Sequence, residues 1–137
     1  MHCKARMDAA TLRQRVLSKL SEQRALVRAL LRLRAQLRGS LFERWAACGK
    51  EGCACRTGQK HGPYFVLSTR SGGAGGFSYL AAEKAEDAAA MVRTHRQFRN
   101  GLRELQRVNA DVVVLLRSYQ ESMALEGGRR IGLGAEY

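Results

Sequence analysis

Residues 48–64 read Cys48-Gly-Lys-Glu-Gly-Cys53-Ala-Cys55-Arg-Thr-Gly-Gln-Lys-His61-Gly-Pro-Tyr64. Three thiols and one imidazole within 14 residues make up the ligand set of a closed tetrahedral site, which is the usual form of structural zinc. The Cys-x4-Cys spacing is close to that of zinc fingers, although Cys-x-Cys is less typical of them. We predict that Cys48, Cys53, Cys55 and His61 bind one zinc ion.

A closed zinc site has no open coordination position, so it would not activate water. We expect the metal to hold together a small sheet that has too little core to fold alone. Basic residues inside the motif would stabilise the nearby thiolates and favour metal binding at neutral pH. They are Lys50, Arg56 and Lys60.

Other uses of the cysteines stay open from the residues alone. Buried free cysteines beside a hydrogen-bonded histidine are one alternative, because cysteine is often buried. A nucleophilic Cys53 or Cys55 with His61 as base is another, but no orienting carboxylate stands in an obvious place. An iron–sulfur cluster would need a fourth thiolate, which only the distant Cys3 supplies. We therefore expect no enzymatic activity.

The positive charge is concentrated in the first half of the chain. The 137 residues include 24 Lys or Arg and 12 Asp or Glu, a formal net charge of +12. Residues 1–70 hold 15 basic and 4 acidic residues, whereas residues 71–137 hold 9 and 8. This asymmetry predicts an acidic polymer as partner, with nucleic acid the first candidate and an anionic membrane surface the second.

Membrane insertion and secretion are not expected. No segment approaches the roughly 20 apolar residues that span a bilayer. Residues 1–7 also lack the long apolar run of a secretory signal. We expect a cytoplasmic protein, in a compartment where thiols stay reduced.

Two long amphipathic helices are predicted on either side of the cysteine motif. The first covers residues 11–38, where Thr11 and Gln14 resemble a capping box and apolar residues recur at four-three spacing. The second covers residues 83–123 and keeps that spacing over four heptads, which is typical of a coiled coil. Asn109 occupies a core-type position there, where a polar residue can fix register or oligomeric state.

A small β module is predicted between the helices. Strands are expected at 63–70 and 77–81, joined by a glycine-rich tip at 71–76. Residues 41–47 form a further strand unless they continue the first helix. The predicted fold is therefore α+β, mainly α, with an antiparallel coiled-coil hairpin around a small zinc-stabilised antiparallel β insert.

The predicted organisation has four parts along the chain. They are a basic N-terminal helix (8–39), a zinc-binding β module (40–82), a C-terminal coiled-coil helix (83–126) and a flexible tail (127–137).

Nine basic residues are candidates for contact with nucleic acid. On the first helix, Arg24, Arg28 and Arg32 share one face at four-residue spacing and Arg38 enlarges the basic surface. These residues lack the acidic partners of an ordinary solvated face. Around the sheet, basic residues alternate with aromatic ones, which is the composition of single-strand stacking surfaces. Trp45, Phe65 and His95 are expected in the core instead. The nine candidates are Arg24, Arg28, Arg32, Arg38, Arg44, Lys50, Arg56, Lys60 and Arg70.

The motif resembles that of an uncharacterised bacterial and archaeal family of small proteins, often encoded beside transposases and other mobile-element genes. Its signature is Cys-Gly-Lys-x-x-Cys-x-Cys followed by His-Gly-Pro-Tyr, which stand here at residues 48–55 and 61–64. The resemblance covers residues 39–109. It implies a mobile-element setting and supports the metal site, but it implies no mechanism.

We predict a non-enzymatic nucleic-acid-binding accessory or regulatory protein of a mobile element. The expected partners are nucleic acid, DNA rather than RNA, a transposase or recombinase, and a second copy of the chain in a homodimer. The alternative is a coiled-coil adaptor that docks a recombinase or another partner without binding DNA itself.

Overall fold

A computed structural model describes residues 7–71 and 74–134, with the side chains of residues 70, 71 and 74 outside that description. The fold is mixed α+β and mainly helical. A three-stranded antiparallel sheet lies between two helices along the chain. The elements are α1 (Ala9–Arg32), β1 (Ser40–Ala46), a one-turn 3-10 helix (Ala54–Arg56), β2 (His61–Ser71), β3 (Ala74–Leu80) and α2 (Ala82–Arg130).

The chain divides into two compact units. The helical unit holds α1 together with the chain from Asn100 onward, and the sheet unit is Leu33–Arg99. The long helix α2 contributes residues to both units.

In the helical unit, α1 begins one turn before the predicted capping box. The Asp8 carboxylate accepts a hydrogen bond from the Thr11 N–H at 2.7 Å, and the Asp8 carbonyl accepts one from Leu12 at 3.0 Å. Asp8 is therefore the N-cap, because it satisfies N–H groups that have no partner inside the helix. The hydrogen bond from Thr11 also lowers the pKa of Asp8.

Contacts between α1 and α2 in the helical unit occur in opposite order along the two helices. The Arg13 guanidinium donates to the Tyr119 hydroxyl at 3.0 Å, and the Lys19 ammonium lies 3.3 Å from Asp111. Farther along α1, the Gln23 amide donates to Asn109 at 2.6 Å. Asn109 therefore contacts Gln23 on α1, but it is exposed. Its core-type position and the coiled-coil packing stay predictions.

The C-terminal end of α2 lies beyond the predicted start of the tail. Residues 127–130, assigned to a flexible tail from the Gly127-Gly128 pair, are helical. The helix stops at Gly132, whose φ is +76°. Leu133 donates to the Gly128 carbonyl at 2.9 Å and Gly132 donates to Arg129 at 3.2 Å. This pair of hydrogen bonds is a Schellman motif, which ends a helix at a glycine. The prediction that the tail begins at residue 127 was therefore wrong. Residues 135–137 lie outside the described part of the chain.

The predicted C-terminal end of the first helix was also wrong. The helix ends at Arg32 rather than near Arg38, and the chain from Leu33 onward belongs to the sheet unit. There the Leu37 N–H donates to the Met91 carbonyl at 3.1 Å. Residues 33–38 contain neither glycine nor proline, so no local signal in the sequence marks this end of the helix.

In the sheet unit, residues 40–46 form a strand, so the helical alternative for this segment is wrong. The strands have the order β1-β2-β3. Leu41 pairs with Leu67 in β2, which in turn pairs with Ser78 in β3. The pairing of Ser71 with Ala74 leaves a shorter connection than the predicted tip at 71–76, so Gly75 and Gly76 belong to β3.

One face of the sheet carries the apolar core of this unit. Register places Leu41 and Phe65 on the same face as Leu67, which is buried. A groove beside this face is lined by strand residues and by the start of α2, namely Leu41, Phe42, Glu43, Phe65, Ala82, Ala85, Glu86 and Ala89. The core therefore lies between the sheet and the first turns of α2.

Across the described residues, no helix combines the length and the apolar character needed to cross a bilayer.

Candidate metal centre and basic cleft

The four predicted ligands come from a loop that connects two paired strands. Cys48 follows the end of β1, and His61 is the first residue of β2. Cys53 precedes the 3-10 helix, and Cys55 lies within it. Because Ala46 pairs directly with His61, the two ends of the loop are held together by the sheet, and the tight 3-10 turn returns the middle cysteines toward them.

The structure brings all four ligand atoms together. Their sulfur and nitrogen atoms lie within 4.8 Å of one another. Cys48 Sγ is 3.4 Å from Cys55 Sγ, and Cys53 Sγ is 3.3 Å from His61 Nε2. Zinc–sulfur bonds of about 2.3 Å in a tetrahedron separate two sulfurs by about 3.8 Å. The cluster therefore has the size of a tetrahedral Cys3His site that could bind a metal ion.

Hydrogen bonds from the backbone support the sulfur atoms. The Cys48 N–H donates to Cys55 Sγ at 3.2 Å. The pKa of Cys53 is lowered to about 6, first by the hydrogen bond from the Cys55 backbone N–H and then by those from His61, Cys55 and Cys48. Donors aimed at sulfur stabilise the thiolate, which is the form that binds metal.

Cys55 differs from Cys53 because it is buried. The hydrogen bond from the Cys48 backbone N–H lowers its pKa, but burial and the neighbouring thiols of Cys53 and Cys48 outweigh that bond, so the pKa of Cys55 is raised. Only 2% of the Cys55 surface is exposed. A cation among the sulfurs would reverse this preference, since a coordinating thiol is deprotonated outright.

Glycine is required where the loop enters β2. Gly62 has a φ of +148°. A Cβ atom at Gly62 would lie 2.8 Å from the Arg44 carbonyl oxygen and 3.0 Å from the Trp45 ring. The close passage of β1 over Gly62 therefore keeps the His61 side of the cluster in place, and Trp45, expected in the core, is half-exposed beside it.

The predicted nucleic-acid contacts are distributed over both units. Arg24, Arg28 and Arg32 are exposed on α1 in the helical unit. Lys50, Arg56 and Lys60 are exposed on the metal loop. Arg44 is exposed on β1 and donates to the Tyr79 hydroxyl at 2.8 Å. The side chain of Arg70 lies outside the described part of the structure.

Arg38 lines a basic cleft that the sequence did not predict. The cleft has a volume of about 710 Å³ in the sheet unit. Three arginines and a histidine line it, together with Gly39, Ser40, Ser68 and Val92, and no carboxylate does. We define the basic cleft by Arg38, His95, Arg96 and Arg99.

Three residues of the basic cleft were not predicted from the sequence as candidates for nucleic-acid binding. They are His95, Arg96 and Arg99. His95 was assigned to the core, but it is half-buried and its Nδ1 lies 3.3 Å from the Gln36 side-chain oxygen. Arg96 and Arg99 lie in the second half of the chain, whose summed charge is near zero. That sum conceals a local run of basic residues. Residues 91–103 contain four arginines and no carboxylate, so a charge count over a window of one to two helical turns would have found them.

Comparison with known proteins supports the predicted membership of an uncharacterised family. The model of a family described as a domain of unknown function (DUF6788) matches residues 13–90, which include all four ligands, the sheet and Arg38. Searches of curated proteins and of solved structures gave no significant match. The mobile-element setting stays a prediction. Since the matched residues make up more than half of the chain, the protein belongs to the DUF6788 family.

Proposed function

We propose that this protein is a non-enzymatic nucleic-acid-binding accessory or regulatory protein of a mobile genetic element. The basic cleft is the observation that carries this proposal. Guanidinium groups bind phosphate through charge and paired hydrogen bonds. Arg38, Arg96 and Arg99 line one cleft without a carboxylate to neutralise them, which favours an extended polyanion as the occupant.

Arginines on α1 would add contacts along the same polymer. Arg24, Arg28 and Arg32 are exposed, and among the described residues none of them takes part in an ion pair. Phosphate contacts of this kind supply affinity but carry no sequence information. We propose DNA rather than RNA as the natural ligand, in keeping with a role beside a transposase or recombinase.

The metal in this proposal is zinc, and its role is structural. Three sulfurs and one imidazole nitrogen at tetrahedral spacing are typical zinc ligands. All four coordination positions would be filled by the protein, so the metal would tie the ends of β1 and β2 together without reacting with substrate. The thiols are thereby committed to the metal rather than to catalysis.

We further propose that α1 and α2 form an antiparallel coiled-coil hairpin and that two copies associate through it. Several apolar side chains on both helices are half-exposed or more, which leaves an apolar surface for a second copy to cover. Leu17 is 54% exposed, Val113 48% and Leu116 47%.

Binding to duplex DNA over a salt series tests the proposed function. We expect the logarithm of affinity to fall with the logarithm of salt concentration, with a slope of about −0.9 for each phosphate contacted. The double variant Arg96→Gln/Arg99→Gln is expected to flatten that slope by about 2. A flat slope for the unmodified protein would contradict nucleic-acid binding.

A matched control removes the same charge outside the cleft. Arg107 and Arg130 form ion pairs with Glu104 and Glu126 in the helical unit. The variant Arg107→Gln/Arg130→Gln should therefore leave the slope closer to that of the unmodified protein. Equal loss in both double variants would mean that net charge, and not the basic cleft, is responsible for binding.

The exposed apolar residues of the helices also favour the second candidate, a coiled-coil adaptor that docks a recombinase. A complex with a recombinase that survives nuclease treatment and high salt would support the adaptor. Loss of that complex with Leu17→Asp, without loss of the metal, would place the contact on α1.

A further inference from the structure

The second face of the sheet carries four aromatic side chains. Register places Phe42 beside Val66 and Val66 beside Tyr79, so these three residues share a face. Side chains alternate along a strand, so residues two apart lie on the same face. This places Tyr64 on the face of Val66 and Phe77 on the face of Tyr79. We call Phe42, Tyr64, Phe77 and Tyr79 the aromatic face.

The rings form two edge-to-face pairs across the sheet. Phe42 and Phe77 have ring centroids 6.3 Å apart with planes at 90°. The Tyr64 and Tyr79 centroids are 6.4 Å apart with planes at 81°. Val66 beneath them is 1% exposed. The pairs hold the rings in defined orientations, so a flat ligand would meet a preformed surface.

These rings are more exposed than a core needs. Phe77 is 68% exposed and Tyr79 is 60% exposed. The opposite face of the sheet lies against the start of α2, so it already supplies the core of the unit. On the aromatic face itself, Ser40 and Ser68 line the basic cleft and Phe42 borders the groove at the start of α2, whereas Phe77 and Tyr79 stay largely exposed.

The charge on the aromatic face is positive. Arg44 lies on it, opposite Tyr64 in the neighbouring strand, and reaches the Tyr79 hydroxyl at 2.8 Å. Glu43, the acidic residue of β1, lies on the other face because of strand alternation. None of the described residues on the aromatic face is Asp or Glu.

We propose that the aromatic face binds the unpaired bases of single-stranded nucleic acid. This inference rests on the proposed function and names the form of nucleic acid that the sheet recognises. Exposed rings offer stacking platforms to bases, and a neighbouring arginine contacts the phosphate backbone. Duplex bases cannot stack in this way, because they are already stacked on one another.

A second copy of the chain fits this face less well. Two copies that met face to face would bring two Arg44 side chains to the same interface with no carboxylate on that face to pair with them. A polyanion with flat rings is complementary to both features. An apolar protein helix carries no negative charge to pair with Arg44, so single-stranded nucleic acid is the better occupant.

The test measures anisotropy of dye-labelled oligo(dT) and of a labelled duplex with metal-loaded protein. The double variant Phe77→Ala/Tyr79→Ala is expected to bind oligo(dT) at least about tenfold more weakly while its duplex affinity stays unchanged. Phe77→Tyr keeps a ring at the same place and is expected to retain binding. Leu31→Ala, at a site that is 78% exposed on α1, controls for loss of an exposed apolar side chain.

Metal content and circular dichroism establish that each variant is folded. Unchanged oligo(dT) affinity in the double alanine variant would overturn the proposal. If light scattering showed that the same variant is a monomer while the unmodified protein is a dimer, the aromatic face would be a contact between copies and the proposal would also be overturned. Duplex binding without oligo(dT) binding by the unmodified protein would also overturn it and leave the proposed function standing. Binding of neither nucleic acid would overturn both.

Discussion

The Nε2 atom of His61 lies 3.3 Å from the sulfur of Cys53. This contact joins the first residue of β2 to the residue that opens the 3-10 helix. Cys48 and Cys55 form a second close pair, with their sulfurs 3.4 Å apart. The two pairs lie together in one cluster of four side chains. A disulfide between the second pair would need its sulfurs about 2.05 Å apart, so Cys48 and Cys55 are free thiols.

We predict that the purified protein holds one zinc ion per chain. Cys53→Ser and Cys55→Ser are each expected to lose the ion, because serine is a poor zinc ligand and the remaining three groups cannot close the tetrahedron. Elemental analysis after dialysis against a weak chelator measures the content. Cys3→Ser is the matched control and should retain one zinc, since Cys3 is outside the predicted ligand set. Loss of zinc in that control would contradict the assignment.

Removal of the metal is expected to unfold the sheet before the helices. The cluster lies in the loop between the paired ends of β1 and β2, whereas the helical unit has buried residues of its own in Leu12, Leu30 and Val108. On addition of a strong chelator, fluorescence of Trp45 should change while most of the helical circular dichroism remains. Simultaneous loss of both signals would show that the two units unfold together.

Gly101 is predicted to be needed for close packing of α1 on α2. A Cβ atom there would lie 2.5 Å from Leu30 Cδ2, and Leu30 is buried. Overpacking costs about 1–3 kcal/mol and the gain in helix propensity offsets about 0.5–1 kcal/mol of that cost, so we expect Gly101→Ala to lower the free energy of unfolding by up to about 2 kcal/mol. Denaturant unfolding of the metal-loaded protein measures the change.

Gly127 provides the matched control for Gly101, because it is also helical and nothing lies within 4 Å of a Cβ atom placed there. Gly127→Ala should raise stability by about 0.5–1 kcal/mol through helix propensity alone. In a Leu30→Ala background, Gly101→Ala should lose most of its cost. An unchanged cost in that background would contradict the contact between the two residues.

Gln23 and Asn109 are predicted to be energetically coupled. Their side-chain amides are 2.6 Å apart, and each single alanine substitution would leave the other amide without this partner. A double-mutant cycle is expected to give a coupling of about 0.5–1.5 kcal/mol. The same cycle with Gln23 and Gln120, which lies farther along α2, should give a value near zero. Equal coupling in both cycles would contradict a direct interaction.

Gly132 is predicted to be the residue that ends α2. Its φ of +76° is a conformation that costs an L side chain about 1 kcal/mol or more. Gly132→Ala should therefore weaken the Schellman motif and speed amide exchange at Leu133, whose N–H bonds to Gly128. Gly134→Ala, where nothing lies within 4 Å of a Cβ atom, is expected to leave that exchange rate unchanged.

The candidate metal site could be predicted from the sequence because its chemistry is local. Cys48, Cys53, Cys55 and His61 lie within 14 residues, and the intervening glycines let so short a segment turn on itself. The strands were also predictable, since apolar and aromatic residues next to glycine and proline signal a hairpin. The ends of the elements were less well predicted, because glycine pairs usually mark loops whereas Gly127-Gly128 lies inside α2, which continues to Arg130.

The basic cleft was decided by tertiary structure. Arg38 comes from the segment after α1, whereas Arg96 and Arg99 come from α2. The hydrogen bond from the Leu37 N–H to the Met91 carbonyl joins these two segments near the cleft. The end of α1 at Arg32 was likewise not predictable, because residues 33–38 contain no helix-breaking residue. A pattern of residues specifies contacts between neighbours along the chain. Contacts between distant segments depend on which faces of those segments are buried together. In this protein the tertiary structure therefore decided that Arg38, Arg96 and Arg99 line one cleft.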